Sequence, residues 1–213
     1  DKNIQQNTMQ ALRKQLSYLD VRLRGYERDE VQQELQNVDY RGDRTVDVGN
    51  FLFGTITEMS GQGDNLEIIV DLGFKDGIGR VDQSGLTDIV EARVKWKKNR
   101  WSESTQADYS ELLEQLQEGD KVWVSVRELP DALPPLFDLE RFPKVQGGAI
   151  VLKKGQIISV AGGVENRFFN RAVYGKRTMG SSYKPFVYGA AMQLGWNSAD
   201  LLPNKRDVFV YQT

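Results

Sequence analysis

Phe51-Leu52-Phe53-Gly54-Thr55-Ile56-Thr57-Glu58-Met59 runs into Ser60-Gly61-Gln62-Gly63, and Leu66-Glu67-Ile68-Ile69-Val70-Asp71-Leu72 follows. Two short runs rich in aromatic and β-branched residues, split by glycines, read as strands joined by a turn. Ile78–Val81 is a third strand, set off by Gly73–Gly77, and Arg93–Trp101 reads as another. Tyr109–Gln117 then shifts to helical spacing through Leu112, Leu113 and Leu116, and Gly119-Asp120 turns into a final strand, Lys121–Val126. Several strands, one helix before the last of them and many glycines predict a small closed barrel of the OB type over residues 46–128.

On the N-terminal side, Ile4, Met9, Leu12, Leu16, Leu19 and Leu23 fall at helical spacings and predict an amphipathic helix over 4–23, stopped at Gly25. A short second helix is expected around Asp29–Leu35. Residues 1–45 thus form a linker-like helical segment. On the C-terminal side, residues 129–144 hold Pro130, Pro134, Pro135 and Pro143 and read as a crossover. Beyond it, Ala149–Leu152 and Gln156–Ala161 predict a hairpin turned by Lys153-Lys154-Gly155. Residues 164–179 look like a basic loop, and a helix is expected from Ser181 to about Leu194, stopped by Gly195. Residues 145–213 form the last region. The fold class is α+β.

Composition removes whole classes of chemistry. The 213 residues include no cysteine and no histidine. Disulfide frameworks, thiolate zinc sites, His-ligated metals and Ser-His-Asp triads are excluded together. The glycines lack the lysine and helix of a phosphate loop, and Asp64, Glu67, Asp71 and Asp76 lack EF-hand spacing. No metal or cofactor is expected. No apolar run is long enough to cross a membrane. Net charge is −2, but residues 47–127 carry 9 basic and 15 acidic side chains, whereas residues 141–213 carry 11 and 3. The basic last third reads equally as ordinary surface variation or as an electropositive cleft for an anionic substrate.

Ser181-Ser182-Tyr183-Lys184 is an S-x-x-K sequence at the expected start of a helix. Positions i and i+3 lie on one face, so an amine comes within reach of a hydroxyl. A serine needs a base before it is a useful nucleophile, and without histidine a lysine can serve. The helix N-terminus offers unpaired N–H groups to an oxyanion. By spacing alone, a serine cap followed by a solvated lysine fits as well.

The surrounding residues carry more. Phe169-Asn170-Arg171-Ala172, Met179-Gly180-Ser181-Ser182-Tyr183-Lys184-Pro185-Phe186, Ala190-Ala191 and Leu201-Leu202-Pro203-Asn204 resemble the transpeptidase domain of class A penicillin-binding proteins. The hairpin from Gly148-Ala149-Ile150-Val151 to Ala161-Gly162-Gly163 fits the same family. Arg24-Gly25-Tyr26 resembles the stretch between its glycosyltransferase and transpeptidase domains, which would make residues 1–45 a linker helix and the start of the transpeptidase region, and residues 46–128 resemble its OB-like insert. The resemblance implies the N-terminal part of a penicillin-binding (β-lactamase-like) transpeptidase domain. Ser181 would attack a D-Ala-D-Ala stem peptide of peptidoglycan, Lys184 would activate it, and β-lactams would trap it as covalent inhibitors. The parent would be anchored in the inner membrane and face the periplasm, with an envelope protein as partner at the insert.

The family's Ser-x-Asn and Lys-Thr/Ser-Gly motifs do not occur in these residues. The chain is therefore expected to be an internal fragment with half a site, and Ser181 in it slow or inert. Leu152, Ile157, Phe186, Val187 and Leu194 would then lack apolar partners, leaving residues 145–213 less ordered than the barrel or covered by another chain. Two readings from other classes stand beside the enzyme. An S1-like OB module, suggested by Gly54-Thr55-Ile56 and Gly119-Asp120-Lys121-Val122, would bind RNA or another anionic polymer. Arg93-Val94-Lys95-Trp96-Lys97-Lys98-Asn99-Arg100-Trp101 would be its surface, although the acidic surroundings have the wrong sign, so no nucleic acid is expected. A purely structural insert docking an envelope partner is the other.

Overall fold

The computed structural model describes residues 1–42, 44–165 and 169–201. Helix α1 spans Lys2–Arg24, with the Asp1 carboxylate accepting from the Asn3 and Ile4 amides. Helix α2 spans Arg28–Leu35. Strands β1 (Phe51–Ser60), β2 (Glu67–Asp71) and β3 (Ile78–Val81) follow, then helices α3 (Gln83–Lys98) and α4 (Gln106–Leu113). Strands β4 (Lys121–Glu128) and β5 (Leu136–Glu140) complete the barrel.

The strand order is β1-β2-β3-β5-β4, closed by pairing of β4 back to β1. All neighbours are antiparallel except β3 and β5, which run parallel with Val81 opposite Phe137. This is a small closed barrel of the OB type, the class expected, but it extends to Glu140 and not only to residue 128. Alternate residues of β1 point inward: Leu52 and Ile56 are buried, with Gly54 between them. A Cβ on Gly54 would come within 2.8 Å of the Asp71 carbonyl oxygen, so the strands meet closely there. Val122, Val124, Phe137 and Leu139 fill the rest of the interior.

Two expectations are corrected. Arg93–Trp101 is not a strand: residues 93–98 are the end of α3. Asp82 caps that helix by accepting from the Gly85 amide, and Leu86, Ile89, Val90, Arg93 and Val94 repeat at helical spacing on its buried side. The alternation seen from Arg93 onward is a short slice of that longer period. Secondly, the proline-bearing segment supplies β5. Pro130, Pro134 and Pro135 lie in its approach and Pro143 beyond it, so no strand position loses an N–H. Pro135 instead offers its carbonyl to the Arg80 amide at 2.9 Å.

Helix α1 lies against the barrel wall, with Leu16, Ser17, Asp20 and Val21 buried and Leu19 and Leu23 exposed. Its packed face is partly polar because it meets polar residues. Lys14 donates to Asp138 at 2.7 Å, and Ser17 accepts from the Arg141 amide at 2.9 Å. Asp20 accepts from the amides of Lys144 and Val145. The helix also holds the hairpin of β6 (Ala149–Lys153) and β7 (Gln156–Ala161). The Gln5 side-chain amide donates to the Val160 carbonyl at 2.8 Å and accepts from its N–H at 3.0 Å. Residues 1–175 form one compact unit, and a second begins at Lys176.

Candidate functional site

Within the first unit, the segment leading toward the S-x-x-K residues is fixed by close backbone packing. Helix α5 (Arg171–Tyr174) is capped by Asn170, whose side chain accepts from the Ala172 and Val173 amides. The Arg171 amide donates to Gly162 O at 3.0 Å. A Cβ on Gly162 would lie 2.6 Å from Asn170, and one on Gly148 2.7 Å from the Ala172 nitrogen. These glycines let the hairpin and the Asn170 turn meet.

In the second unit, Gly180 takes a positive φ of 52° and opens a 3-10 turn over Gly180–Tyr183. Helix α6 continues from Lys184 to Gln193, with Pro185 in its first turn, where no intrahelical donor is lost. The Lys184 amide donates to the Ser181 carbonyl. At three residues per turn, position i+3 stands over position i, so Lys184 and Ser181 share one side of this turn. Gly195 ends α6 with φ 90°; its N–H reaches Met192 O at 3.0 Å and the Trp196 N–H reaches Ala191 O at 3.0 Å. That is a Schellman stop, at the glycine expected.

Ser181 and Lys184 are both exposed. No hydrogen bond joins their side chains among the described residues. The five apolar residues expected to lack partners are all exposed, from Val187 at 49% to Leu194 at 80%. The hairpin is nevertheless not loose, since Ser159 and Ala161 are buried on its α1 side. Leu202, Pro203 and Asn204 lie outside the described residues.

The basic run faces inward at two of its charges. Arg93 is buried and pairs with Glu111 at 3.0 Å and Glu27 at 3.3 Å. Lys95 is buried too, donating to the Tyr18 hydroxyl at 2.6 Å and to Glu91 at 3.0 Å, with its ammonium 4.2 Å from the Trp101 ring. Burial works against the charge on Lys95, yet these partners hold its pKa above the ordinary value. Neither side chain is offered to a polyanion.

Glu140 carries no motif that marks it in the sequence. It is buried on the outer wall of the barrel, beneath α1, and accepts from Ser125 Oγ at 2.7 Å. Burial pushes its pKa up to about 7, against hydrogen bonds from Ser17 and Ser125 and the nearby Lys14 charge. Its period-2 place on β5 could have been read only if β5 had been recognised.

No family model matches the chain. Curated relatives do. The chain is 31% identical over 147 residues to penicillin-binding protein 1A of Pseudomonas aeruginosa, covering 62% of this chain and 17% of that protein. It is 31% identical over 114 residues to penicillin-binding protein 1A of Escherichia coli, covering 51% and 13%. With penicillin-binding protein 1A of Vibrio cholerae it shares 33% over 89 residues, covering 39% and 10%. The chain thus spans no more than 17% of the length of these three relatives. Its similarity to penicillin-binding protein 1A bears out the family resemblance carried by its motifs.

Proposed function

We propose that these residues are part of a peptidoglycan D,D-transpeptidase. The supporting observation is the similarity to penicillin-binding protein 1A, joined to an S-x-x-K turn in which Lys184 stands over Ser181. In this reading the Ser181 hydroxyl attacks the carbonyl of the penultimate D-Ala of a stem peptide and Lys184 takes its proton. The Ser181 N–H supports the oxyanion. The C–N bond to the terminal D-Ala breaks, and that amine leaves with the proton. An amine of a neighbouring stem peptide then attacks the ester, releasing Ser181 and forming the cross-link. β-Lactams acylate the same oxygen. The parent is anchored in the inner membrane, facing the periplasm. Residues 1–45 act as a linker helix and the start of the transpeptidase region, residues 46–140 as the insert that receives an envelope protein, its last strand drawn from the proline-bearing segment, and residues 145–213 as the start of the catalytic domain.

Among the described residues no helix is long and apolar enough to cross a membrane, and no acidic cluster could hold a metal ion. Fluorescent penicillin tests the proposal. A polypeptide in which these 213 residues are joined to Ser-x-Asn and Lys-Thr/Ser-Gly motifs should label stoichiometrically. Ser181→Ala should abolish the label. A label that survives Ser181→Ala would remove Ser181 from the nucleophile's role.

A further inference from the structure

A cavity of about 590 Å³ belongs to the first unit and is lined by none of the S-x-x-K residues. It opens on the outer wall of the barrel. Trp123 on β4 is paired with Phe53 on β1, and both point away from the barrel interior. Phe51 stacks on Trp123 with ring centroids 5.1 Å apart and planes 18° apart, and Phe142 approaches the indole at the same distance. Trp123 is only 8% exposed, so it braces the other rings from behind. Phe51 and Phe142 are half-buried and line the cavity.

The rim is charged but balanced. Arg13, Arg41 and Lys144 face Glu34, Asp39 and Glu165. Lys144 donates to Glu34 at 2.6 Å, Arg41 to Asp39 at 2.7 Å, and Arg13 to the Val164 carbonyl at 2.6 Å. Burial raises the cost of charge on Glu34, but hydrogen bonds from Lys144 and Arg24 and the Arg141 charge hold its pKa below the ordinary value. It is therefore an acceptor near neutral pH.

These features narrow the ligand. A balanced rim has no net field to draw an anion or a cation. A wholly apolar guest would desolvate the Lys144–Glu34 pair without replacing its solvation. A pyranose ring suits both surfaces, with C–H faces for the phenyl rings and edge hydroxyls that donate and accept at the rim. We propose that this cavity binds a neutral pyranose unit of an oligosaccharide, with Phe51 and Phe142 as the platform and Lys144 and Glu34 as the hydroxyl contacts. The site is separate from the proposed acyl-transfer chemistry, and failure of either leaves the other standing.

The test uses the 213-residue chain with chitotetraose and cellotetraose as probes. Binding is followed by titration calorimetry and by the indole N–H resonance of Trp123, assigned through Trp123→Phe. Saturable binding of either sugar is expected, and the two arms show whether the acetamido group is needed. Phe142→Ala should weaken binding about tenfold, as loss of one ring platform does. Lys144→Ala, on an exposed side chain that leaves the core intact, should weaken it several-fold; it alone decides if Phe142→Ala does not fold. Absence of saturable binding by both sugars would overturn the proposal. So would binding that Lys144→Ala leaves unchanged.

Discussion

The Ser125 hydroxyl donates to the Glu140 carboxylate across 2.7 Å, between diagonal neighbours on β4 and β5. That contact sits under α1, where Ser17 also bonds the Glu140 carboxylate. Burial lifts the Glu140 pKa from 4.5 to about 7. The folded chain therefore binds more protons than the unfolded chain between these values, and this group's contribution to stability falls as pH rises through that window. Glu34 and Asp82 act oppositely: their depressed values contribute stability that is lost as pH falls through their folded pKa, below the ordinary carboxylate range. Thermal stability should thus peak on the acid side of neutrality, near pH 5. Glu140→Gln should raise the melting temperature more at pH 8 than at pH 5, measured by circular dichroism. An equal shift at both pH values would count against this account.

Asp20 gathers the end of α1, the Arg141 region and the chain after Pro143. One oxygen accepts from two amides, Lys144 at 2.9 Å and Val145 at 3.1 Å, and the other from Arg24 at 2.9 Å. Arg141, also buried, lies 3.6 Å from that second oxygen. Asp20→Ala leaves buried donors and a buried guanidinium short of an acceptor, and should cost about 3–5 kcal/mol. Asp20→Asn keeps an acceptor for the two amides and should cost less. Urea unfolding of both variants measures the difference.

Gly25 ends α1 with φ 76° and ψ −172°, a region open essentially to glycine, and a Cβ there would lie 2.9 Å from the Trp96 ring. Its carbonyl also accepts from the buried Arg141 guanidinium. Gly25→Ala should destabilise the chain by about 2 kcal/mol or more, combining backbone strain with the displaced ring. Trp96 fluorescence should shift in the same variant. A variant as stable as the parent would show that the turn relaxes freely.

The isolated 213-residue chain should react with fluorescent penicillin far more slowly than a polypeptide carrying the two further motifs. Ser181 and Lys184 are both exposed here, and among the described residues no hydrogen bond joins their side chains. Mass spectrometry of the chain after prolonged incubation measures the residual rate. Rapid stoichiometric acylation of Ser181 in this chain alone would show that the turn suffices.

Much of the architecture was legible because glycines and periodicity agree. The β1–β2 and β6–β7 hairpins, the α1 and α6 stops at Gly25 and Gly195, and the barrel class all follow from local signals. Helix α3 was missed because Arg93–Trp101 was read without Asp82, the cap that starts its period. Strand β5 was hidden by flanking prolines, although Leu136–Glu140 itself contains none. The S-x-x-K turn was visible as a motif. Glu140 and the aromatic platform were not, because they depend on which residues of β1, β4 and β5 face outward, and β5 sets that register.

Helix α1 is gripped at Gln5 by the β6–β7 hairpin and at Lys14 and Ser17 by the barrel. It works as a common spine: one helix tethers the hairpin and the barrel wall at once, so the strands that lead into the Asn170 turn share a frame with the barrel.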